Sequence, residues 1–325
     1  MYFCTLFDSK YVNYGIALYE SLLTHCHRFH IYIFAFDDKC YSVLKELNLT
    51  HATIVQLKEF EDEKLLAIKP TRSKGEYCWT CIPSAINFVL DRYKVESCTY
   101  LDADIYFWNS PGKLLEEMGN NAVLITNHHY TPCYDQSGKS GTYNSQFITF
   151  KNNKEGRFVL EWWRNACIEW CYARHEKGKF GDQKYLDDWP ERFNGVHVLN
   201  YLGGGVAPWN VQQYKIFKKG EVLYGKELNS ITEFQVIFYH FHYVRFYTNE
   251  VDIGGYRLSK EVKSLLYMPY IRHLEKIKHR LEVMHATVQV HGVYQAANKD
   301  LITLLKYIKH RLMFNIFKLD AIAKL

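Results

Sequence analysis

Short apolar runs alternate with amphipathic stretches along most of the chain. Tyr2 to Phe7 is an apolar run of strand length, and Tyr14 to Leu23 spaces its large residues as a helix does. In His30 to Phe36, Ile31, Ile33 and Ala35 alternate with aromatics, the pattern of a strand buried on both faces. Cys40 to Leu47 reads as a helix and Thr53 to Leu57 as a short strand. Pro83 to Tyr93 reads as a helix opened by its proline, and Thr99 to Tyr106 as a strand. Val123 to Thr126 and Gln146 to Phe150 are further strands, and Arg157 to Tyr172 is a Trp-rich helix. This alternation predicts an α/β fold with a largely parallel sheet covered by helices on both faces. No internal repeat or low-complexity segment interrupts it.

The pattern changes near Gly254-Gly255, and the charge changes with it. From Lys260 to Leu325 there are twelve Lys or Arg against five Asp or Glu, a net of +7. The whole chain is +5, which leaves the first 259 residues at −2. Two units are therefore expected: residues 1–255, and a basic, mainly helical extension over 256–325. Helices are expected over Leu265 to Met284 and Leu301 to Leu319. In the second, Leu301, Leu305, Ile308, Leu312 and Ile316 form an apolar stripe. Such a tail suits either an anionic membrane surface or packing against the core or a second subunit. Homo-oligomer and monomer both stay open. A nucleic-acid partner is not expected, because the remainder is slightly acidic and holds no recognisable binding module.

There is no long uncharged apolar run and no signal-peptide pattern, and a strand begins at Tyr2. The nine cysteines are odd in number and sit in apolar segments, which reads as reduced thiols in a cytoplasmic protein. Cys78-x-x-Cys81 and Cys167-x-x-x-Cys171 have the spacing of zinc half-sites. Their apolar helical settings favour buried free thiols.

The segment Tyr100-Leu101-Asp102-Ala103-Asp104-Ile105-Tyr106-Phe107 carries the most chemistry. Residues i and i+2 of a strand share a face, so Asp102 and Asp104 should project together from the end of a buried strand. Like charges held close in an apolar setting call for a cation. A hard divalent ion bound there would in turn attract a diphosphate. The competing reading is a chance Asp-x-Asp at a strand-to-loop boundary. Ligands of open α/β sheets bind outside the carboxyl ends of the strands, where this motif and the end of the first strand would both lie.

In the order of its motifs, residues 1–249 resemble the GT-A fold nucleotide-sugar glycosyltransferases, most of all the retaining family 8-like members. The resemblance implies a Rossmann-like, mixed but mostly parallel sheet with helices on both faces, followed here by the C-terminal helical appendage. Thr5-Leu6-Phe7-Asp8-Ser9-Lys10-Tyr11 is similar to the family's first strand and loop. There the backbone around Thr5, the carboxylate of Asp8 and the ring of Tyr11 would hold the nucleobase. Asp8 also reads as a simple helix cap. Arg72 and Lys74 fall in a region where related enzymes contact the donor phosphate or sugar. By resemblance Asp104 binds the metal, and Asp102 binds the metal, the ribose hydroxyls or both.

Tyr143-Asn144-Ser145-Gln146-Phe147 resembles the family's Phe-Asn-Ser-Gly segment, which lines the sugar pocket through Asn144 and Ser145. Here Gln146 replaces the glycine. Phe180-Gly181-Asp182-Gln183 resembles the Asp-Gln pair that holds donor-sugar hydroxyls and lies near the anomeric carbon, so Asp182 and Gln183 are the catalytic candidates. Val236 to His242 reads as a strand with His240 and His242 on one face. Family members place a late His on the metal or diphosphate, and the sequence does not choose between these two. The family's pattern around that His is not intact, and Arg245 is the stand-in for its basic residue. Gly203-Gly204-Gly205 with Pro208-Trp209-Asn210 is a further loop near the pocket and lacks a P-loop Lys-Ser/Thr. The many aromatics read mostly as core, with Trp162, Trp163 and Trp209 as the ones that could stack on a sugar.

The expectation is a Mn²⁺- or Mg²⁺-dependent glycosyltransferase. It would move a sugar from a nucleoside-diphosphate sugar, with UDP-sugars favoured, to a glycan or lipid-linked acceptor, as in polysaccharide assembly. Retention is favoured, and the protein is expected to be cytoplasmic, with contact at the inner face of a membrane left open by its basic tail. Three alternatives stand beside it. An inverting enzyme would need a base such as Asp182, Asp187 or Asp188. A sugar-nucleotide nucleotidyltransferase would want a Gly-rich basic loop, which Asp8-Ser9-Lys10-Tyr11 is not. A noncatalytic peripheral scaffold would act through the basic tail.

Overall fold

The computed structural model describes residues 1–284 and 301–323. In chain order the first nine strands are β1 (Tyr2–Phe7), β2 (His30–Ala35), β3 (Ala52–Gln56), β4 (Ser97–Leu101), β5 (Ile105–Phe107), β6 (Val123–Asn127), β7 (Tyr143–Lys151), β8 (Val196–Val198) and β9 (Gly204–Val206). Seven of them form the central sheet in the order β3-β2-β1-β4-β7-β6-β8. Strand β7 runs against both of its neighbours, and the other four pairs are parallel. The expected mixed, mostly parallel α/β sheet is therefore present.

Alternation builds a core on each side of this sheet. Phe3, Phe7, Ile31, Ile33 and Ala35 point into one core, beneath the helices Val12–His25 and Met268–Met284. Cys4, Leu6, Tyr32 and Phe34 point into the other, beneath the helices Lys74–Tyr93 and Lys154–Glu169. Gly15 marks the closest helix–strand approach, since a Cβ there would sit 2.1 Å from the Phe7 ring. All nine cysteines are free thiols, seven of them buried.

Four expected elements differ. The helix read from Pro83 begins at Lys74, because Ser73 and Glu76 form a reciprocal capping box one turn after Lys69. Pro83 sits inside that helix. The strand read through Thr99 to Tyr106 is two strands, and Asp102-Ala103-Asp104 is the turn between β4 and β5. The chain continues through β10 (Tyr214–Lys219), β11 (Val222–Glu227), β12 (Glu233–Gln235), β13 (Phe238–His240), β14 (Arg245–Phe246), β15 (Glu250–Asp252) and β16 (Ile316–Lys318). His240 thus ends a three-residue strand and His242 lies in the turn beyond it, so strand periodicity does not place them together. The helix read over Leu301 to Leu319 stops at Leu312, and the chain then adds β16 to β15.

Residues beyond the expected boundary near Gly254-Gly255 share the main core. Tyr270, Ile271, Leu274, Ile277 and Leu281 pack with Phe3 and Ile16, and Glu20 accepts from His273 Nε2 at 2.7 Å. The helix Leu301–Leu312 docks by its polar side. His310 Nδ1 donates to Asp252 at 2.8 Å, and Tyr307 and Arg311 hold Glu250. Leu305, Ile308 and Leu312 of the expected apolar stripe are exposed, at 57%, 44% and 74%. The side chain of Leu301 lies outside the described residues. Among the described residues no helix is long and apolar enough to cross a membrane.

Candidate active site

A cleft of about 550 Å³ opens at the carboxyl ends of β1 and β4, the adjacent parallel strands that end at Phe7 and Leu101. The turn carrying the two carboxylates is built by ladder hydrogen bonds. Asp102 N–H donates to the Gln146 carbonyl at 3.0 Å, one step past the last β4–β7 pair, and Ile105 N–H donates back to Asp102 O at 3.2 Å. The chain then enters β5, which leaves the large sheet and pairs antiparallel with β13, with Ile105 opposite His240. Strand β9 supports β13 from its other side. Gly203, just before β9, is required there, because a Cβ would sit 1.9 Å from the Gln235 carbonyl.

This crossing brings His240 onto the carboxylates. Its Nε2 is 3.0 Å from Asp104 Oδ1 and 3.9 Å from Asp102 Oδ2. One ligand atom from each of Asp102, Asp104 and His240 lies within 4.8 Å of the others. Tyr100 donates its hydroxyl to Asp102 Oδ1 at 3.0 Å, and Gln146 Oε1 accepts from His240 Nδ1 at 2.5 Å. Burial raises Asp102 to about 6, although the charge of His240 opposes it. Burial also pulls Asp104 upward, but the charge and hydrogen bond of His240 outweigh it and hold this carboxyl below its ordinary value. His240 is correspondingly raised: burial lowers it, and Asp104 more than offsets that. Two hard carboxylate oxygens and one imidazole nitrogen form a donor set that suits a divalent ion such as Mn²⁺. An ion seated there would take the place of the direct His240 Nε2–Asp104 contact.

The residues expected to hold a sugar meet on the far side of this turn. Asn144 and Ser145 lie at the start of β7, and Asn144 Oδ1 accepts from Gln146 N at 2.8 Å. Asp182 is buried, hydrogen-bonded by Ser145, and held through its main-chain oxygen by Trp163 Nε1 at 2.9 Å. Its Oδ2 has no hydrogen-bond partner among the described residues. Leaving such an oxygen unpaired costs about 1–3 kcal/mol, which a ligand hydroxyl would relieve. Gln183 lines the same cleft and donates to Ser140 O at 2.9 Å.

On the near side, Asp8 caps the following turn by accepting from Lys10 N at 3.0 Å, and it also lines the cleft. Asp8 is therefore the helix cap that one reading expects, and it stands at the cleft where the other would need it. Tyr11 lines the cleft and is 41% exposed, and Lys74 is the first residue of the long helix. Three candidates are not brought to the cleft. Thr5 is fully buried in β1. Arg72 lies over the Tyr172 ring and donates to Ile168 O at 3.2 Å. Arg245 lies over the Tyr243 ring, 3.9 Å from its centroid. His242 lines the cleft but stands outside the three-ligand set, and burial pushes it down to about 4. Trp209 lines the cleft, whereas Trp163 is fully buried in the core.

The sequence reading missed two supporting residues. Tyr100 could have been found, since it lies two residues before Asp102 on the same strand face. The role of Gln146 depends on a partner 94 residues away and leaves no local signal.

Asp182 supports a pH prediction. Burial, with the nearby charge of Asp102, raises its carboxyl to about 7. The folded state therefore holds this proton more tightly than the unfolded chain. The resulting stability is fully present below about pH 4 and is lost as pH rises through 7. Asp182→Asn removes this dependence. Urea denaturation at pH 5 and pH 8 should show the variant gaining about 2–4 kcal/mol relative to the parent at the higher pH. A gap that is constant with pH would show that Asp182 ionises as an ordinary carboxylate.

No family model matches the chain. It is 33% identical over 285 residues to the uncharacterized protein YfnD of Bacillus subtilis (strain 168), covering 85% of this chain and 89% of that one. It is 32% identical over 250 residues to the uncharacterized protein YfnF of the same organism, covering 74% and 80%. Among solved structures, galactosyltransferase LgtC, in complex with donor and acceptor sugar analogues, superposes with a TM-score of 0.50 at 12% identity. That match covers 85% of this chain and 96% of LgtC. The sheet order, the Asp-x-Asp turn and these likenesses agree: the chain belongs to the family of YfnD and YfnF and has the GT-A fold found in LgtC.

Proposed function

We propose that this protein is a divalent-metal-dependent glycosyltransferase that takes its sugar from a nucleoside-diphosphate sugar, a UDP-sugar by preference. The observation that carries the reading is the convergence of Asp102, Asp104 and His240 within one cleft, between Asp8, Tyr11 and Lys74 on one side and Asn144, Ser145 and Asp182 on the other. Asp102, Asp104 and His240 would hold the ion, whose charge stabilises a departing diphosphate. Lys74 and the first turn of its helix add positive potential at the same end of the cleft. Asp8 and Tyr11 offer an acceptor and an aromatic face to a nucleobase. Asn144, Ser145 and Asp182 offer donors and acceptors to sugar hydroxyls, with Gln183 beside the reacting carbon.

Retention is the stereochemical course we favour, following the family 8-like motif order. The acceptor would be a glycan or a lipid-linked sugar; the exposed leucines of the helix Leu301–Leu312, beside Lys306 and Lys309, support peripheral contact with an anionic membrane. The test is donor hydrolysis and binding across UDP- and GDP-sugars, with Mn²⁺ or with EDTA. Nucleotide release that needs Mn²⁺ and selects one donor is the expected result. A flat panel from folded protein would defeat the reading and favour a noncatalytic role.

A further inference from the structure

We infer that Gln146 is a positioning residue for the metal site: its side-chain oxygen holds His240 so that Nε2 faces the two carboxylates. The inference rests on the metal-site reading above. Gln146 touches both halves of the site. Its main-chain oxygen accepts from Asp102 N at 3.0 Å, and its Oε1 accepts from His240 Nδ1 at 2.5 Å. An amide oxygen can only accept, so this bond fixes the proton on Nδ1 and directs Nε2 at Asp104 and Asp102. The ring then needs no rotation to present a lone pair to an ion seated between the carboxylates. Partners that orient a ligating imidazole through its second nitrogen are a general means of tuning a metal site.

Packing alone does not account for this residue. Gln146 is fully buried, and its Nε2 has no hydrogen-bond partner among the described residues. A methionine would fill similar volume without stranding an N–H group. The side chain leaves one donor unpaired while its acceptor meets His240. It also stands where the sugar-pocket segment that it resembles has glycine, so the contact belongs to this chain's own version of the site.

The experiment measures Mn²⁺ affinity of the full-length protein without nucleotide, by the electron paramagnetic resonance signal of free Mn²⁺. Gln146→Met, which keeps volume and removes the acceptor, should bind Mn²⁺ about 10- to 100-fold more weakly. Gln146→Glu, which restores an acceptor, should stay within about threefold of the parent or bind more tightly. Equal losses in both variants would mean that an acceptor on this side chain is not what holds His240, and no loss in a folded Gln146→Met would mean that the residue only fills space; either overturns the inference. A parent that takes up no Mn²⁺ overturns the metal-site reading itself, which separates that failure from this one. A second measurement needs no variant. Long-range ¹H–¹⁵N spectra of His240 with Zn²⁺ as a diamagnetic probe should show a protonated Nδ1 and a metal-shifted Nε2. The reverse assignment overturns the inference.

Discussion

Asp104→Ala should lose metal-dependent donor turnover by at least about 10²- to 10³-fold, the effect of removing one stabilising contact from a developing charge. The argument is geometric. Asp104 Oδ1 is the closest partner of His240 Nε2, at 3.0 Å, and Asp102 is farther, at 3.9 Å. Removing it takes away one of the three ligand groups and the main counter-charge of a buried imidazole together. The ion then loses a ligand, and His240 is expected to revert toward the neutral ring that burial favours. Asp104→Asn keeps the shape and removes only the charge. Both variants should lose Mn²⁺ binding, while the asparagine form keeps its melting temperature within a few degrees. Titration calorimetry with Mn²⁺ and thermal denaturation on the same samples decide the matter. A folded Asp104→Asn protein with undiminished Mn²⁺ affinity would leave the Asp-x-Asp turn a structural feature only.

Trp163→Ala should be the most destabilising single change near the site, by about 3–5 kcal/mol, a large share of the stability of an ordinary domain. The indole is fully buried between Phe150, stacked at 6.0 Å, and Trp189, edge-on at 5.6 Å. Its Nε1 is the donor that fixes the Asp182 main chain. Trp163→Phe separates these roles, because it keeps most of the ring volume and deletes the N–H. That variant should lose about 1–2 kcal/mol in urea denaturation. It should also weaken nucleotide-sugar binding while leaving Mn²⁺ affinity unchanged, since Asp182 would be displaced and the three-ligand set would not. Parent-like sugar-nucleotide binding by a folded Trp163→Phe protein would show that the indole serves the core alone.

Much of the scaffold is legible along the chain. The two-residue alternation in β1 and β2 states that both faces are buried, and the strand–helix succession states that the sheet is largely parallel. The Asp-x-Asp segment, Asp8-Ser9-Lys10-Tyr11, Asn144-Ser145 and Asp182-Gln183 all come from local sequence and all reach one cleft. The first three do so because each follows or begins a strand of one sheet, where neighbouring strand ends converge; Asp182-Gln183 lies on a helical turn that Trp163 fixes against the start of β7. Local reading failed where a charged side chain had two destinations. Arg72 resembles a phosphate contact, yet it lies against Tyr172, a hundred residues away, where an aromatic face and the Ile168 carbonyl together hold its guanidinium. The apolar stripe of the last long helix is also real in sequence. The docked side is nevertheless the one with Tyr307 and His310, because a buried Asp252 leaves a charge that only a polar partner can satisfy.

By itself, then, the sequence determined the secondary-structure order, the two-sided sheet and the carboxylates that a divalent ion could use. Only the tertiary structure decided that Asp102 and Asp104 stand on a turn between two sheets, that His240 and not His242 brings a ring nitrogen within 4.8 Å of both carboxylates, and that Gln146 meets the other nitrogen of that ring. The physical reason is separation along the chain. Periodicity reports which face a residue takes within its own element, whereas the β5–β13 pairing joins residues more than a hundred positions apart, and no local pattern records such a pairing.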